Sequence, residues 1–572
     1  MVSIVKRISL LMIVAAATSG SPSLAQTVPS DPDIACSVPA TTVNGWFKSG
    51  NAALNGVVNP ANSVSFPNSP NCSFYEWSYH MFLWLTSPAP AIYGGGGGRI
   101  FESSAFFDVS PLGADGKRTM TPHQSGLLKK FNVIGKQVGP NRLPLVFDKQ
   151  GRMFEVQSAL SNQRPLVRTR SGQLTEITNV RIGADKQVIL LGKGGAQLQP
   201  QLLAARREPR ELLRPSGARP IIRKFLIDGR TIFLDRAGNL IEVEQGQADS
   251  SVLIAQNGSP IYYGIAVNEV MAYLRTMLGA NVPPNTLFPT TQGELDNITT
   301  FASSHGKVFV DPEALVFEIK TSWIEIAGLP NPGDYITMTA DIPTYDKTNP
   351  STWVKNGHKS ATVALVGMHV VGSTAGHPEM IWATFEHVGN TPNDAYSYRN
   401  SGGGTTPVAQ DTSGNWLFCA TPCAGPFNEN RQFIAGDNIV ASSPPIPVGP
   451  DNVIRRKAWG AASDVAPNPL KNSEASNSEI ISVNNTVRAV LDPADIRHNY
   501  IMTGSTWMIA GTFPFTTFNM TQVGTSKLNN STMETFTQGA DTHAAGTDNC
   551  FSCHPGNTTS VSHVFGDLKP LF

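Results

Sequence analysis

Charge is scarce in this chain. Of 572 residues, 43 are Lys or Arg and 43 are Asp or Glu, so the formal net charge is zero. A protein that holds nucleic acid or an anionic membrane surface carries a basic excess, and neither partner is expected here. Long apolar runs are missing too: Ile8 to Ala17 stops at about ten residues, short of the ~20 a bilayer-spanning helix needs, and no later run approaches that length. Several reaction signatures are absent. No Gly-x-Ser-x-Gly marks a hydrolase nucleophile and no His-Glu-x-x-His marks a zinc protease. Gly94 to Gly98 are five glycines in a row, but they lack the spaced pattern of a dinucleotide fold and the Lys-Ser/Thr of a phosphate loop, so they read as a flexible loop.

The sequence is rich in turn formers, with 51 Gly and 42 Pro. Together with short alternating runs, this composition predicts a β-rich α+β fold: a multi-strand body, a few helices and a short C-terminal segment. Residues 1–25 read as a signal peptide, with Lys6 and Arg7 before the apolar run and Ser23-Leu24-Ala25 at the cleavage site. Without that segment, 41 basic residues face 43 acidic ones, a charge of −2. The expected mature protein is periplasmic or secreted, with no membrane span. The remaining chain divides into 26–130, an N-terminal region with an aromatic helix; 131–260, a hairpin-rich region; 261–510, a central β-rich domain; and 511–572, the C-terminal segment.

Within these regions, Phe74, Trp77, Met81, Trp84 and Leu85 fall at helical spacing, ended by Pro88 and Pro90. His80 lies inside that helix, and a hydrogen-bonded core histidine is the favoured reading. Leu145 to Val156 and Ile232 to Val243 share an apolar run, Asp-x-x-Gly, and a second apolar run ending Glu-Val, which is a hairpin pattern. Arg206 to Arg219 reads as a basic, Pro-containing connector. Tyr262 to Leu278 and Glu294 to Ser303 read as helices. Leu315–Ile326, Thr362–Val366 and Met380–Val388 read as strands. His369, His377 and His387 lie near Glu379 and Glu386. Their spacing fits no compact metal motif, and Glu386-His387 is the natural proton-transfer pair if it lines a pocket. Residues Ser442 to Asn485 read as loop, Ile509 to Phe518 as a strand, and Ser531-Thr-Met-Glu534 as the capping box of a short helix.

Only 6 cysteines occur. Cys36 and Cys72 are one expected disulfide and Cys419 and Cys423 a second, although spacing alone does not prove either pairing. The last two stand in Cys550-Phe-Ser-Cys553-His554. Cys-x-x-Cys-His is the attachment pattern of c-type haem: the thiols bind two vinyl groups and the adjacent imidazole reaches the iron as proximal ligand. Export agrees with this, because zinc and reducing dithiol sites suit a reducing compartment better. The expected cofactor is one covalent haem c, held by Cys550 and Cys553, with His554 on the iron.

The pentad resembles the attachment site of c-type cytochromes. The stretch from Thr532 to Gln538 and on to His554 is similar to the tail of large exported proteins of the cytochrome c family. That resemblance is specific to the C-terminal stretch and implies covalent haem and electron transfer with a periplasmic donor or acceptor protein. Small class I members carry the motif near the N-terminus and take an axial Met from downstream. Here 18 residues follow His554 and none is Met. The sixth iron ligand is then Met533, His543 or His563, or the position is open. Two protein ligands imply an electron carrier, an open position a peroxidase or oxygenase, and a third alternative is a haem-containing sensor or binding protein.

Overall fold

A computed structural model describes residues 28–572 except 68–70, 95–97, 114, 125–126, 136–137, 140, 142, 144, 148–152, 160–162, 183–187, 203–219, 228–229, 242–250, 442–445, 461–472, 514–521, 526–527, 529, 537–549 and 555. The predicted signal peptide, the centre of the glycine run and the basic connector therefore lie outside the described residues. Among the described residues, no helix is long and apolar enough to cross a membrane.

A twelve-stranded sheet organises the chain. Its principal strands are β1 (Phe106–Val109), β2 (Met120–Pro122), β3 (Tyr262–Asn268), β4 (Phe317–Glu325), β5 (Thr337–Asp346), β6 (Thr352–Thr374), β7 (His377–His387), β8 (Tyr500–Met508) and β9 (Gln522–Gly524). The spatial order is β2-β1-β3-β4-β6-β7-β8-β9, with β5 beside β6, and these neighbours are antiparallel. The helices are α1 (Ala40–Trp46), α2 (Asn71–Leu85), α3 (Glu269–Met277), α4 (Gln292–Ser304), α5 (Ser473–Arg488) and the single turn α6 (Cys550–Cys553). The fold is β-rich with few helices, as the composition predicts.

Successive strand residues point to opposite faces, so each strand sorts its own side chains. The first face carries Phe317 and Ile319 of β4, Met368 and Val370 of β6, and Ile381, Ala383 and Phe385 of β7, all buried in one core. The aromatic helix α2 lies on this face: Phe82 stacks on Phe385 at 4.1 Å between centroids, and Phe74 on Trp507 at 4.2 Å. The expected apolar stripe understates its burial, because Tyr75, Ser78, Tyr79, Phe82 and Leu83 are buried as well. A helix apolar on nearly all sides is an interior element. A disulfide between Cys36 and Cys72 ties the start of α2 to the preceding segment, and a second joins Cys419 to Cys423.

The second face is divided. Val267, Val371, Met380, Trp382 and Met508 form an apolar cluster with α3, α4 and residues 551–568. A separate cluster holds Tyr263, Ile324, Val366 and Met533. Between them runs a polar row set by register, in which Lys320 of β4 pairs with His369 of β6, and His369 with Thr384 of β7. The turn 530–536 lies over this row. At Gly367 a Cβ would come within 2.5 Å of Thr532 Oγ1 and 2.9 Å of Asn530 Oδ1, so the turn approaches to a distance only glycine permits.

The two hairpin copies occupy the ends of a smaller five-stranded sheet. Leu145–Phe147 pairs with Met153–Ser158, Arg230–Leu234 with Leu240–Ile241, and Ile221–Ile227 joins the two halves. In the second copy, Asp235 accepts from the backbone N–H of Ala237 and Asn239, and Gly238 takes φ +84°, as Asp-x-x-Gly requires. The corresponding turn of the first copy lies outside the described residues.

Four expected elements are corrected. Tyr262 to Leu278 is half strand and half helix; Asn268 makes the switch, accepting from Met271 N to cap α3 while also bonding Leu315 and Phe317 across the sheet. The Ser- and Asn-rich end of the expected loop 442–485 is helix α5, with Ile480, Ile481, Val483 and Val487 buried. One of its buried polar residues, Asn484, bonds Ile480 O and both backbone groups of Met502 in β8. The strand ends at Met508, and Ile509–Gly511 turns as a short 3₁₀ segment; 514–518 lie outside the described residues. Ser531 opens turns and not a helix, because its side chain is taken by Glu386. The cap passes to Asn530, whose Oδ1 accepts from Thr532 N.

Candidate haem site

Cys550 and Cys553 stand at i and i+3 of α6, the spacing that brings two helical residues to one side. The side chain of Cys553 lies outside the described residues. Cys550 is half-buried against the apolar cluster of the second sheet face, and Phe551 is 1% exposed. His554 N–H donates to Cys550 O at 2.8 Å, which closes the turn and delivers the imidazole to the same cluster.

His554 is 3% exposed. Its ring lies 4.3 Å from the indole of Trp382 and 4.2 Å from the ring of His563, the latter face to face. Nδ1 lies 2.7 Å from Val561 O, an acceptor, so Nδ1 carries the proton and Nε2 bears the lone pair. Nε2 is buried with no hydrogen-bond partner among the described residues. Burial pushes the pKa of His554 well down, and the nearby His563 lowers it further against the opposing bond to Val561. A neutral imidazole with Nδ1–H on a backbone carbonyl and an unengaged Nε2 has the form of a metal-ligating histidine. The donor chemistry of this residue therefore fits an iron ligand. No cluster of three or more metal-ligating side chains occurs among the described residues.

The loop after His554 is held from the sheet. Ser562 Oγ–H donates to Glu318 Oε2 at 2.6 Å, and Ser562 Oγ itself accepts from Val564 N and Phe565 N. Glu318 belongs to the second face of β4, opposite Val371 of β6. Burial raises its pKa, countered by the bond from Ser562. Beside it, His369 Nε2 and Glu534 Oε1 lie 2.8 Å apart. Burial alone would raise the Glu534 carboxyl; His369 and Lys320 outweigh it and hold it below its ordinary range.

The expected sixth ligands separate. His563 is beside His554, its ring face to face with the His554 imidazole. Met533 is buried in the neighbouring cluster with Tyr263 and Ile324, apart from that of Phe551 and Trp382. His543 lies outside the described residues.

The other singled-out histidines do not converge. Glu386 and His387 are adjacent on a strand and so face opposite ways. Glu386 is paired with Arg455 at 2.9 Å and accepts from Ser531 N, whereas His387 stacks on Tyr335 at 3.9 Å. Gly389 N donates to His387 Nδ1 and His387 Nε2 donates to Asp334 O; burial brings its pKa down to about 3. They are not a proton-transfer pair. His377 bonds Glu379 at 2.8 Å and packs edge-on against Phe74, on the α2 side. His80 bonds Asn59 O and stacks on Trp46, hydrogen-bonded as expected but half-buried at the edge of the core.

Trp382, Glu318 and Ser562 escaped sequence reasoning. Glu318 and Ser562 are 244 residues apart and meet only through the sheet. Trp382 carried a visible signal, an aromatic in a strand, without any indication of what it would touch. No family model, curated protein or solved structure matches this chain.

Proposed function

We propose that this protein is an exported, single-haem c-type cytochrome that transfers electrons with a periplasmic partner. Cys550 and Cys553 would hold the haem covalently and His554 would be the proximal ligand. The observation that carries this reading is the state of His554: a buried neutral imidazole, oriented by Val561 O, whose Nε2 has no other partner among the described residues. Bound there, haem c supplies one-electron exchange between Fe(III) and Fe(II). The chain's own part is to hold the imidazole in one tautomer and to exclude water around it with Trp382, Phe551 and Val561.

A pyridine haemochrome spectrum tests the reading, on protein matured with the cytochrome c assembly machinery. One covalent haem per chain is expected in the wild type, and none in Cys550→Ala/Cys553→Ala. No covalent haem, or more than one per chain, rejects it.

A second reading, a haem peroxidase or oxygenase with an open iron position, draws on His563 lying against the face of the His554 ring and on Met533 being buried in a separate cluster. Carbon monoxide added to the reduced protein separates the two. Rapid formation of an adduct favours the enzyme, and no adduct favours the six-coordinate carrier.

A further inference from the structure

Resting on the haem reading above, we propose that Glu318 and Ser562 are positioning residues for His554, setting the strength of its bond to iron from outside the attachment motif. The Ser562 hydroxyl has one proton to donate and two lone pairs. All three are used: the proton goes to Glu318 Oε2 at 2.6 Å, and the lone pairs accept from Val564 N at 3.2 Å and Phe565 N at 3.1 Å. The hydroxyl is saturated, so Ser562 has one orientation. The peptide group joining Val561 to Ser562 carries the carbonyl that receives His554 Nδ1–H at 2.7 Å. Fixing Ser562 fixes that peptide, and the peptide fixes the imidazole.

Glu318 supplies the rigid end of this chain of contacts. It sits in the middle of a sheet, between Val267 of β3 and Val371 of β6, whereas Ser562 is on an irregular segment. That segment has further anchors, Thr559 N to Thr286 O at 2.9 Å and Leu571 N to Thr276 Oγ1 at 3.1 Å, but neither touches the 561–562 peptide. The Glu318–Ser562 bond ties the sheet, through a side chain, to the residue that shares the carbonyl's own peptide. A well-aligned Nδ1–H···O=C bond makes a ligating imidazole a better electron donor, which favours the ferric state; partners of this kind are where a protein tunes its metal.

The test uses haem-loaded protein as wild type, Ser562→Ala, Glu318→Leu and Glu318→Gln. Haem content is measured first, and a wild type without covalent haem defeats the underlying reading, separately from this one. With haem attached, the midpoint potential is read by spectroelectrochemical titration, alongside the thermal midpoint of each variant. The expected result is an upward shift of potential in Ser562→Ala and Glu318→Leu. Glu318→Gln, whose amide oxygen still accepts from Ser562, stays near the wild type. Unchanged potentials in Ser562→Ala and Glu318→Leu overturn the proposal, even if both lose thermal stability, because that is a structural role alone. Equal shifts in Glu318→Gln and Glu318→Leu overturn it as well, since charge and not position would then be acting. If Glu318→Leu fails to fold, Ser562→Ala against Glu318→Gln makes the same comparison.

Discussion

The indole of Trp382 lies 4.3 Å from the imidazole of His554, centroid to centroid, and joins strand β7 to the Cys550–His554 motif. Its Nε1–H is engaged by Glu379 O at 3.0 Å, so the ring is held in place from the strand side, and Phe551 meets it edge-on at 6.0 Å. The surroundings of His554 are therefore built as much by the central sheet as by the motif.

Trp382→Ala removes the largest ring in contact with His554. A vacated aromatic site in a packed cluster costs about 3–5 kcal/mol. Urea denaturation should show a loss of that order, with Trp382→Phe retaining most of the stability. A loss under about 1 kcal/mol in the Ala variant would mean that the C-terminal segment does not pack on β7 in solution.

Arg455 and Glu386 are both fully buried, 2.9 Å apart, and Glu386 also receives Ser531 of the turn over the polar row. Arg455→Met leaves a carboxylate buried without its cation, at a cost of about 3–5 kcal/mol. The double variant Arg455→Met/Glu386→Gln should recover part of that loss. Additive losses in the double-mutant cycle would sink the assignment of this pair as the anchor of the turn.

His387 gives the fold an acid sensitivity whose sign follows from burial. Its folded pKa is about 3 and its unfolded pKa about 6.5, so the unfolded chain takes the proton first. The stability it contributes is complete above pH ~6.5 and declines as pH falls toward 3, by up to about 1.4 kcal/mol per pH unit. His80, lowered to about 4 by burial, acts in the same direction. In urea titrations the wild type should lose stability between pH 6.5 and 4.5 more steeply than His387→Gln, and in parallel with it above pH 7. Parallel curves across the whole range contradict the prediction.

The two disulfides close loops of very different length, with separations of 36 and 4 residues. On the chain-entropy model the first contributes about 3–4 kcal/mol and the second about 2 kcal/mol. Cys36→Ala/Cys72→Ala should lower the thermal midpoint more than Cys419→Ala/Cys423→Ala. The reverse order would show that loop entropy does not govern either bridge.

Some of this was legible residue by residue. The Cys550-x-x-Cys553-His554 pattern, the aromatic spacing of α2, the Asp235-to-Gly238 turn and the alternation in β4 and β7 all depend on neighbours within a few positions. Periodicity or fixed chemistry is written there directly. The strand-to-helix switch at Asn268 was not legible, because the same apolar residues satisfy both periods until the cross-sheet bonds of Asn268 choose between them. Helix α5 was hidden by its Ser and Asn content, which reads as loop until the partners of Asn484 are known.

The sequence by itself determined the Cys550-x-x-Cys553-His554 pattern, the turn-rich β character and the cysteines available for pairing, since each is a local property of residue type and spacing. Only the tertiary structure decided that Glu386 and His387 face away from each other, that Met533 and His554 enter different clusters, and that Glu318 reaches Ser562. These depend on strand register and on which segment covers which face of the sheet. A one-residue slip would exchange every such neighbour, and the pairing that prevents it is made between residues hundreds of positions apart.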